Sequence, residues 1–281
     1  MKPAILGISG AELTGPERDL FRHHQPSGVI LFARNIQNKL QLTDLTAELK
    51  DILPDNALLM VDQEGGRVAR LKPPHWPALP AAGSLQTPEA AFAHGRALGA
   101  MVREAGFNCT AAPVLDIRVP GASDVVGDRA ITGDAVTVAR LGGEIARGII
   151  AEGVFPVMKH LPGHGRALVD SHIALPRVPE LSEDDLLPFI ANNSLPWAMT
   201  AHVVYEQYDP VNPGTLSKII IRDLIRGRIG FKGILVSDDL AMGALTGTPA
   251  ERATRALAAG CGIALYCPGD FEGNRAVLEA L

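Results

Sequence analysis

The sequence lacks the features on which membrane proteins, secreted proteins and nucleic-acid-binding proteins depend. It contains no run of about 18 apolar residues, the length that a membrane-spanning helix needs. The apolar stretch after Met1 is too short for the core of a signal peptide. Lysine and arginine do not cluster, and the net charge is −5, which argues against a polyanionic partner. These absences predict a cytoplasmic protein that has neither a membrane nor a nucleic acid as its partner.

Cysteine is scarce as well. The chain has three, Cys109, Cys261 and Cys267. An odd and sparse set does not resemble the paired cysteines of a disulfide framework. This usage fits a reducing compartment.

What the sequence does contain is an eightfold alternation of short apolar runs and longer segments with helical periodicity. The predicted strands cover residues 4–7, 28–33, 57–62, 108–115, 154–159, 197–203, 233–238 and 262–267. The predicted helices lie near 15–24, 37–51, 88–105, 134–151, 182–191, 217–228, 248–259 and 270–281. The strands are rich in Val, Ile, Leu and Ala without polar alternation, as parallel strands buried on both faces should be. The pattern predicts an α/β fold, a (β/α)8 TIM barrel forming a single catalytic domain over residues 1–281. A doubly wound open sheet is the alternative.

Polar side chains follow the predicted strands at their C-terminal ends, where the active sites of such barrels form. They are Arg34 and Asn35, the segment 62–67, Asp116, Asp128 and Arg129, Lys159 and His160, His202, and the segment 237–239. A single Asp at a strand end often caps the next helix. Functional groups after so many strands predict an active site at this rim.

One segment is the most informative about the chemistry of the site. It covers residues 159–172 and reads Lys-His-Leu-Pro-Gly-His-Gly-Arg-Ala-Leu-Val-Asp-Ser-His. It follows an apolar run and turns through Pro162 and two glycines before it reaches Asp170 and His172. A histidine can act as acid or base near neutral pH, and a nearby carboxylate can orient it. The loop is longer than usual for a barrel, which is often a sign of function. We therefore expect it to carry His172 to a substrate.

Several motifs together resemble glycoside hydrolase family 3. They are 62–68 (Asp-Gln-Glu-Gly-Gly-Arg-Val), 159–165 (Lys-His-Leu-Pro-Gly-His-Gly), 170–172 (Asp-Ser-His), 199–203 (Met-Thr-Ala-His-Val) and 236–242 (Val-Ser-Asp-Asp-Leu-Ala-Met). The segment 28–35 fits the same group. More narrowly, the motifs resemble the family's single-domain bacterial β-N-acetylglucosaminidases of cell-wall recycling. The resemblance spans about residues 5 to 267, with the motifs in the expected order.

The resemblance implies a retaining exo-β-N-acetylglucosaminidase with Asp238 as its nucleophile. A carboxylate can attack the anomeric carbon and hold the sugar as a covalent ester until water arrives. Asp239 is expected to point away, because neighbouring strand residues face opposite sides. In place of a second carboxylic acid, the resemblance implies a dyad of His172 and Asp170. Asp170 would raise the pKa of His172 and fix its tautomer.

The resemblance also implies how the sugar is held. The matching positions are Asp62, Arg129, Lys159 and His160, with Arg70 and His202 expected in the same site. Carboxylates accept hydrogen bonds from sugar hydroxyls, and Lys or Arg donate to others. Glu64 and Arg67 are expected to form a structural pair beneath the site. The implied partner is a small muropeptide fragment, N-acetylglucosamine linked to 1,6-anhydro-N-acetylmuramic acid with or without its peptide, and it is bound by a monomer without cofactor or metal.

Other readings of the same residues remain open. A β-glucosidase-type or phosphorolytic enzyme of the same family would carry similar motifs. A metal-dependent barrel hydrolase would use His160, His164, His202 and Asp238, but residues 162–163 (Pro-Gly) break the helical spacing that such a His pair needs. A non-catalytic sugar-binding protein would lack the nucleophile or the dyad, and the sequence has both.

Overall fold

A computed structural model describes residues 1–171 and 173–281, and its centre is an eight-stranded parallel sheet. The strands of the described chain are β1 (Lys2–Gly7), β2 (Pro26–Leu31), β3 (Leu58–Val61), β4 (Cys109–Thr110), β5 (Phe155–Leu161), β6 (Arg177–Val178), β7 (Trp197–Thr200), β8 (Val204–Tyr205), β9 (Ile234–Val236) and β10 (Ala264–Tyr266). The large sheet has the order β10-β1-β2-β3-β4-β5-β7-β9, and β6 pairs with β8 outside it. A parallel bridge from Val236 to Ile263 joins its two ends. This closure confirms the predicted barrel over the open sheet.

A helix follows each barrel strand. The helices are α1 (Gly15–His24), α2 (Lys39–Ile52), α3 (Pro88–Glu104), α4 (Ala135–Ala151), α5 (Glu183–Ala191), a π-helical segment (Ile220–Arg228), α6 (Pro249–Ala259) and α7 (Phe271–Ala280). Strand then helix is the repeat of a (β/α)8 barrel, and it places every strand's C-terminal end at one rim.

Local signals in the sequence fix where helices begin. Thr248 caps α6 in a capping box with Glu251, and a proline follows at the first position of the helix. The Ser217 hydroxyl accepts a hydrogen bond from the backbone N–H of Ile220, at the start of the π-helical segment.

The core has two layers, because successive strand residues face opposite sides of the sheet. Ile5 and Ile30 point into the barrel, where they pack with apolar residues of the other strands. Their neighbours Leu6 and Leu31 point outward against the helices. Strands buried on both faces explain the continuous apolar runs of the sequence.

The fold shows where the three cysteines lie and how long and apolar the helices are. Cys109, Cys261 and Cys267 are all buried and unpaired, so they form no disulfide framework. Across residues 1–171 and 173–281, every helix falls short of the length and hydropathy of a bilayer-spanning segment.

Candidate active site

A cavity of about 200 Å³ opens where the barrel strands end. Its walls come from the loops that follow β2, β3, β4, β5, β9 and β10. The sequence-predicted residues that line it are Asp62, Arg70, Arg129, Lys159, His160 and Asp238. The barrel thus brings side chains from distant parts of the chain to one rim.

One side of the cavity is a network of alternating charges. Lys159 Nζ lies 3.0 Å from Asp62 Oδ1 and 2.6 Å from Glu64 Oε1. Arg129 donates two hydrogen bonds to Glu64, at 2.8 and 2.9 Å. Arg70 Nη2 lies 3.4 Å from Asp62 Oδ2. Each carboxylate is therefore shared between two cations.

This network keeps its members charged despite burial. Burial by itself would raise the pKa of Glu64, but Lys159 and Arg129 outweigh it and lower that pKa to about 2. The pKa of Asp62 is likewise held below its ordinary value by Lys159 and Arg70, against the effect of burial. Burial would lower the pKa of Lys159, yet Asp62 and Glu64 raise it overall. The cavity wall presents fixed charges at neutral pH.

His160 is held by Asp116, which the sequence placed only at the rim. Its Nδ1 lies 2.6 Å from Asp116 Oδ2, and Asp116 has no exposed side-chain surface. The same carboxylate accepts hydrogen bonds from the backbone N–H groups of His160 and His164. The bond from Nδ1 orients the ring, so Nε2 is the atom that remains for a substrate.

Asp238 and Asp239 follow β9 and have opposite electrostatic surroundings. Burial would raise the pKa of Asp238, but His202, His160 and the N–H of Asp239 outweigh burial and lower it. Burial raises the pKa of Asp239. Asp239 Oδ1 accepts hydrogen bonds from the backbone N–H groups of Ala241 and Cys267. Of the two, Asp238 presents the ionised carboxylate that a nucleophile needs, while Asp239 ties the loops after β9 and β10 together.

His202 lies behind Asp238. It is 0% exposed, and both ring nitrogens bond within the protein, Nδ1 with Thr215 Oγ1 at 2.7 Å and Nε2 with the Asp239 carbonyl at 2.9 Å. Both ring nitrogens are therefore engaged within the protein, and His202 lowers the pKa of Asp238.

The loop after β5 brings the predicted acid–base segment to the cavity. Ser171 lines the cavity, and Asp170 directly precedes it. The backbone N–H groups of Ile173 and Ala174 donate to the Asp170 carbonyl, which forms a turn there. His172, the predicted acid and base, lies outside the described residues.

The predicted pair of Glu64 and Arg67 is wrong. Glu64 pairs with Arg129 and Lys159, whereas Arg67 pairs with Asp128 at 2.9 Å. The reason is that the loop after β4 folds back over the loop after β3 and supplies the nearer partners. Arg67 fastens that loop by donating to the carbonyls of Val125 and Val126.

Sequence reasoning also missed side chains that shape the site. Asp116 holds the His160 ring, Glu64 holds Arg129, and His164 and Ser171 line the cavity. The sequence places Asp116 and Glu64 at the rim without indicating these partners, and His164 and Ser171 lie within the segment 159–172.

The four side chains of the metal-hydrolase alternative do not form a ligand cluster. Within residues 1–171 and 173–281, no group of three or more His, Cys, Asp or Glu is arranged to hold a metal ion. His202 uses both ring nitrogens and His160 uses one in bonds to protein atoms.

Comparison with known proteins gives a consistent set of similarities. The chain matches the family described as glycosyl hydrolase family 3 N terminal domain over residues 6–281. A β-hexosaminidase from Pseudomonas aeruginosa is 40% identical, covering 99% of this chain and 85% of that protein. A family 3 β-N-acetylglucosaminidase structure from Paenibacillus superposes with a TM-score of 0.92 at 36% identity. The match covers 99% of this chain and 56% of that one. NagZ from Neisseria gonorrhoeae, in complex with N-trifluoroacetyl-D-glucosamine, superposes with a TM-score of 0.86 at 34% identity, covering 95% of this chain and 81% of that one.

Proposed function

We propose, from the premise that this chain belongs to glycosyl hydrolase family 3, that it is a retaining exo-β-N-acetylglucosaminidase. Family membership agrees with the resemblance seen in the sequence motifs. The observation that carries the proposal is the ionised Asp238 facing a cavity that is walled by the Asp62–Lys159–Glu64–Arg129 network.

In the first step Asp238 acts as the nucleophile. An electron pair of its carboxylate forms a bond to the anomeric carbon, and the bond from that carbon to the leaving oxygen breaks. The imidazolium of His172 gives its proton to the leaving oxygen, and Asp170 stabilises the charged ring. The aglycone departs, and the sugar remains as an ester of Asp238.

In the second step water hydrolyses the ester bond between the sugar and Asp238. Neutral His172 takes a proton from water as its oxygen attacks the anomeric carbon, and the ester bond to Asp238 breaks. Two inversions leave the configuration unchanged. The carboxylate of Asp238 and the imidazolium of His172 are both restored.

Other side chains are poorer candidates for the acid. Glu64 has a pKa of about 2 and is shared by two cations, so it holds no proton near neutral pH. Burial lowers the pKa of His164 to about 4, so its ring is neutral there too. Asp239 has a raised pKa, but its Oδ1 accepts two backbone hydrogen bonds.

The charged wall can bind sugar hydroxyls without breaking its own ion pairs. Lys159 carries three N–H donors and uses two of them on Asp62 and Glu64, which leaves one for a substrate. Arg129 has five N–H groups and uses three, two on Glu64 and one on the Val125 carbonyl. Asp62 and Arg70 line the same wall, and His160 adds Nε2. We assign these five residues to the glycan subsite.

We further propose that the substrate is a muropeptide fragment, N-acetylglucosamine on 1,6-anhydro-N-acetylmuramic acid, hydrolysed by a monomer whose residues 1–281 act as one catalytic domain. The support is the resemblance of the motifs to bacterial cell-wall-recycling enzymes. Three buried, unpaired cysteines are in keeping with a cytoplasmic location.

The deciding experiment compares aryl β-N-acetylglucosaminide with aryl β-glucoside and follows the sugar product by proton NMR. We expect hydrolysis of the N-acetyl substrate and a β anomer as the first-formed product. An α anomer would rule out retention. Hydrolysis of the glucoside alone would assign the chain to the β-glucosidase type.

A further inference from the structure

The base of the loop after β5 is fastened to the barrel at several points. Tyr205 donates from its hydroxyl to the Gly163 carbonyl at 2.8 Å. Arg166 pairs with the buried Asp185 of α5 at 2.5 Å. The backbone N–H of Ser123 donates to the Ala167 carbonyl at 2.8 Å. These contacts hold the loop up to residue 167, and all of them precede Asp170 in the chain.

Beyond this base the loop turns its apolar side chains to solvent. Leu168 is 70% exposed, Val169 44% and Ile173 80%. Side chains so exposed bury little apolar surface, so they contribute little to holding the segment in place. The position of residues 168–171 must depend on other contacts.

Ser171 differs from these neighbours. It is 2% exposed, lines the cavity, and its Oγ lies 3.1 Å from His164 Nε2. His164 is itself 3% exposed, and its backbone N–H donates to Asp116 Oδ1 at 2.6 Å. A continuous path therefore runs from Asp116, which also orients His160, through His164 to Ser171.

We propose that the hydrogen bond between His164 and Ser171 positions the acid–base pair for the reaction. Ser171 stands between Asp170 and residue 172 in the sequence, so a shift of its backbone moves both. His164 and Ser171 are thus positioning residues that act through their neighbours. This inference rests on the proposed function, because it assumes that residues 170 and 172 act on the leaving group.

The surroundings of His164 agree with such a role. Burial, together with His160, lowers its pKa to about 4, so the ring is neutral at neutral pH. Its Nδ1 is buried and has no partner among the residues that the structure describes. The bond from Nε2 to Ser171 is therefore the side-chain hydrogen bond that orients this buried ring.

The test compares two substrates that differ in their need for an acid. Phenyl β-N-acetylglucosaminide requires protonation of its leaving group, and the 2,4-dinitrophenyl analogue does not. For Ser171→Ala we expect kcat/KM to fall roughly 3- to 10-fold on the phenyl substrate and less than about twofold on the dinitrophenyl one, as loss of one neutral hydrogen bond suggests. Ser171→Thr keeps the hydroxyl and should restore most of the loss. His164→Leu should repeat the Ser171→Ala pattern, and the double variant should add little.

A second readout does not depend on activity. Hydrogen–deuterium exchange of a peptide spanning residues 166–176 should be faster in Ser171→Ala than in the wild-type protein. Leu168→Ala, an exposed position on the same loop, is the matched control and should leave both exchange and the ratio between substrates unchanged.

Three results would overturn the inference. They are equal losses on both aryl substrates, no loss on either, and unchanged exchange in Ser171→Ala. If the wild-type protein hydrolyses neither substrate, the proposed function fails, and the exchange measurement alone decides whether the bond holds the loop.

Discussion

Asp238 and Asp239 are neighbours in the sequence, yet their carboxyl groups meet different surroundings. His202 and His160 favour the ionised form of Asp238, whereas burial favours the protonated form of Asp239. Two titratable groups whose pKa values are driven apart are typical of an active site. At the scale of the single residue, the division of roles between adjacent carboxyls is therefore electrostatic.

Replacing Asp238, the proposed nucleophile, gives the first prediction. Asp238→Ala should abolish hydrolysis of activated and natural substrates alike, because no carboxylate remains to form the glycosyl-enzyme. Rates with dinitrophenyl β-N-acetylglucosaminide and intact-protein mass spectrometry check this. Appreciable turnover by this variant, with its fold verified by circular dichroism, would refute the assignment.

The proposed dyad of His172 and Asp170 gives the second prediction. His172→Ala should lose about 10²- to 10⁴-fold in rate on substrates with poor leaving groups. With the dinitrophenyl substrate, the loss in the first step should be smaller, because this leaving group departs without a proton. The second step still lacks its base, so a glycosyl-enzyme should accumulate and be detected as a mass shift. Asp170→Ala should resemble a weaker form of the same variant.

Azide provides the control for the dyad. It attacks the glycosyl-enzyme without a base, so it should rescue His172→Ala and yield a β-glycosyl azide. Full activity of this variant on a poor leaving group would contradict the role of the dyad.

The third prediction concerns Glu64 and pH. Its pKa in the folded state, about 2, lies below its ordinary value, so its stabilising effect is complete above that ordinary value and is lost as the pH falls towards 2. Between pH 6 and pH 3, the free energy of unfolding should fall by about 2 kcal/mol more in the wild-type protein than in Glu64→Gln. Urea titrations at both pH values measure the difference. Glu279→Gln, at an exposed position, should follow the wild-type curve, and a Glu64→Gln curve parallel to it would count against the network.

At the scale of the element, the loop after β5 links the segment of the proposed dyad to the packing of the barrel. Its base bonds to Tyr205 in β8 and to Asp185 in α5, and Ser171 further along bonds to His164. Loops that carry catalytic groups are positioned by a rigid scaffold. Substitutions that remove these hydrogen bonds and this ion pair should therefore affect stability as well as rate.

Tyr205 gives the fourth prediction. Tyr205→Phe should lower the free energy of unfolding by about 1–2 kcal/mol, because the buried Gly163 carbonyl loses its donor. Tyr208→Phe is the matched control, since that hydroxyl bonds to the exposed Arg228 and its loss should cost less than about 0.5 kcal/mol. Urea denaturation measures both. Equal effects from the two variants would contradict the structural role of the Tyr205 hydroxyl.

At the scale of the whole molecule, the barrel collects its working groups at one rim and leaves them paired with each other. The reaction proposed for them is acid–base and covalent chemistry. The fifth prediction is that dialysis against EDTA leaves kcat and KM unchanged for the N-acetyl substrate. A rate that is lost with the chelator and restored by zinc would favour the metal-dependent alternative.

Much of this organisation follows from local sequence patterns. The eight strands of the barrel lie within or close to the apolar runs predicted for them, and Thr248 caps α6 in the region predicted to be helical. The catalytic rim follows from the fold, because every parallel strand of a barrel ends at the same face. Such features depend on residue periodicity and on side chains within a few positions, which the sequence displays directly.

The partners of the charged residues were decided only by the tertiary structure. Glu64 pairs with Arg129 and not with Arg67, because the loop after β4 folds over the loop after β3. Asp116 orients His160, and Ser171 meets His164, through contacts that no spacing rule displays. Ion pairs and pKa values depend on which distant groups approach within a few ångströms, and residues on or after seven different strands meet in this cavity. The sequence by itself determined the barrel and the set of candidate residues, while the closing of the barrel determined which of them act on each other.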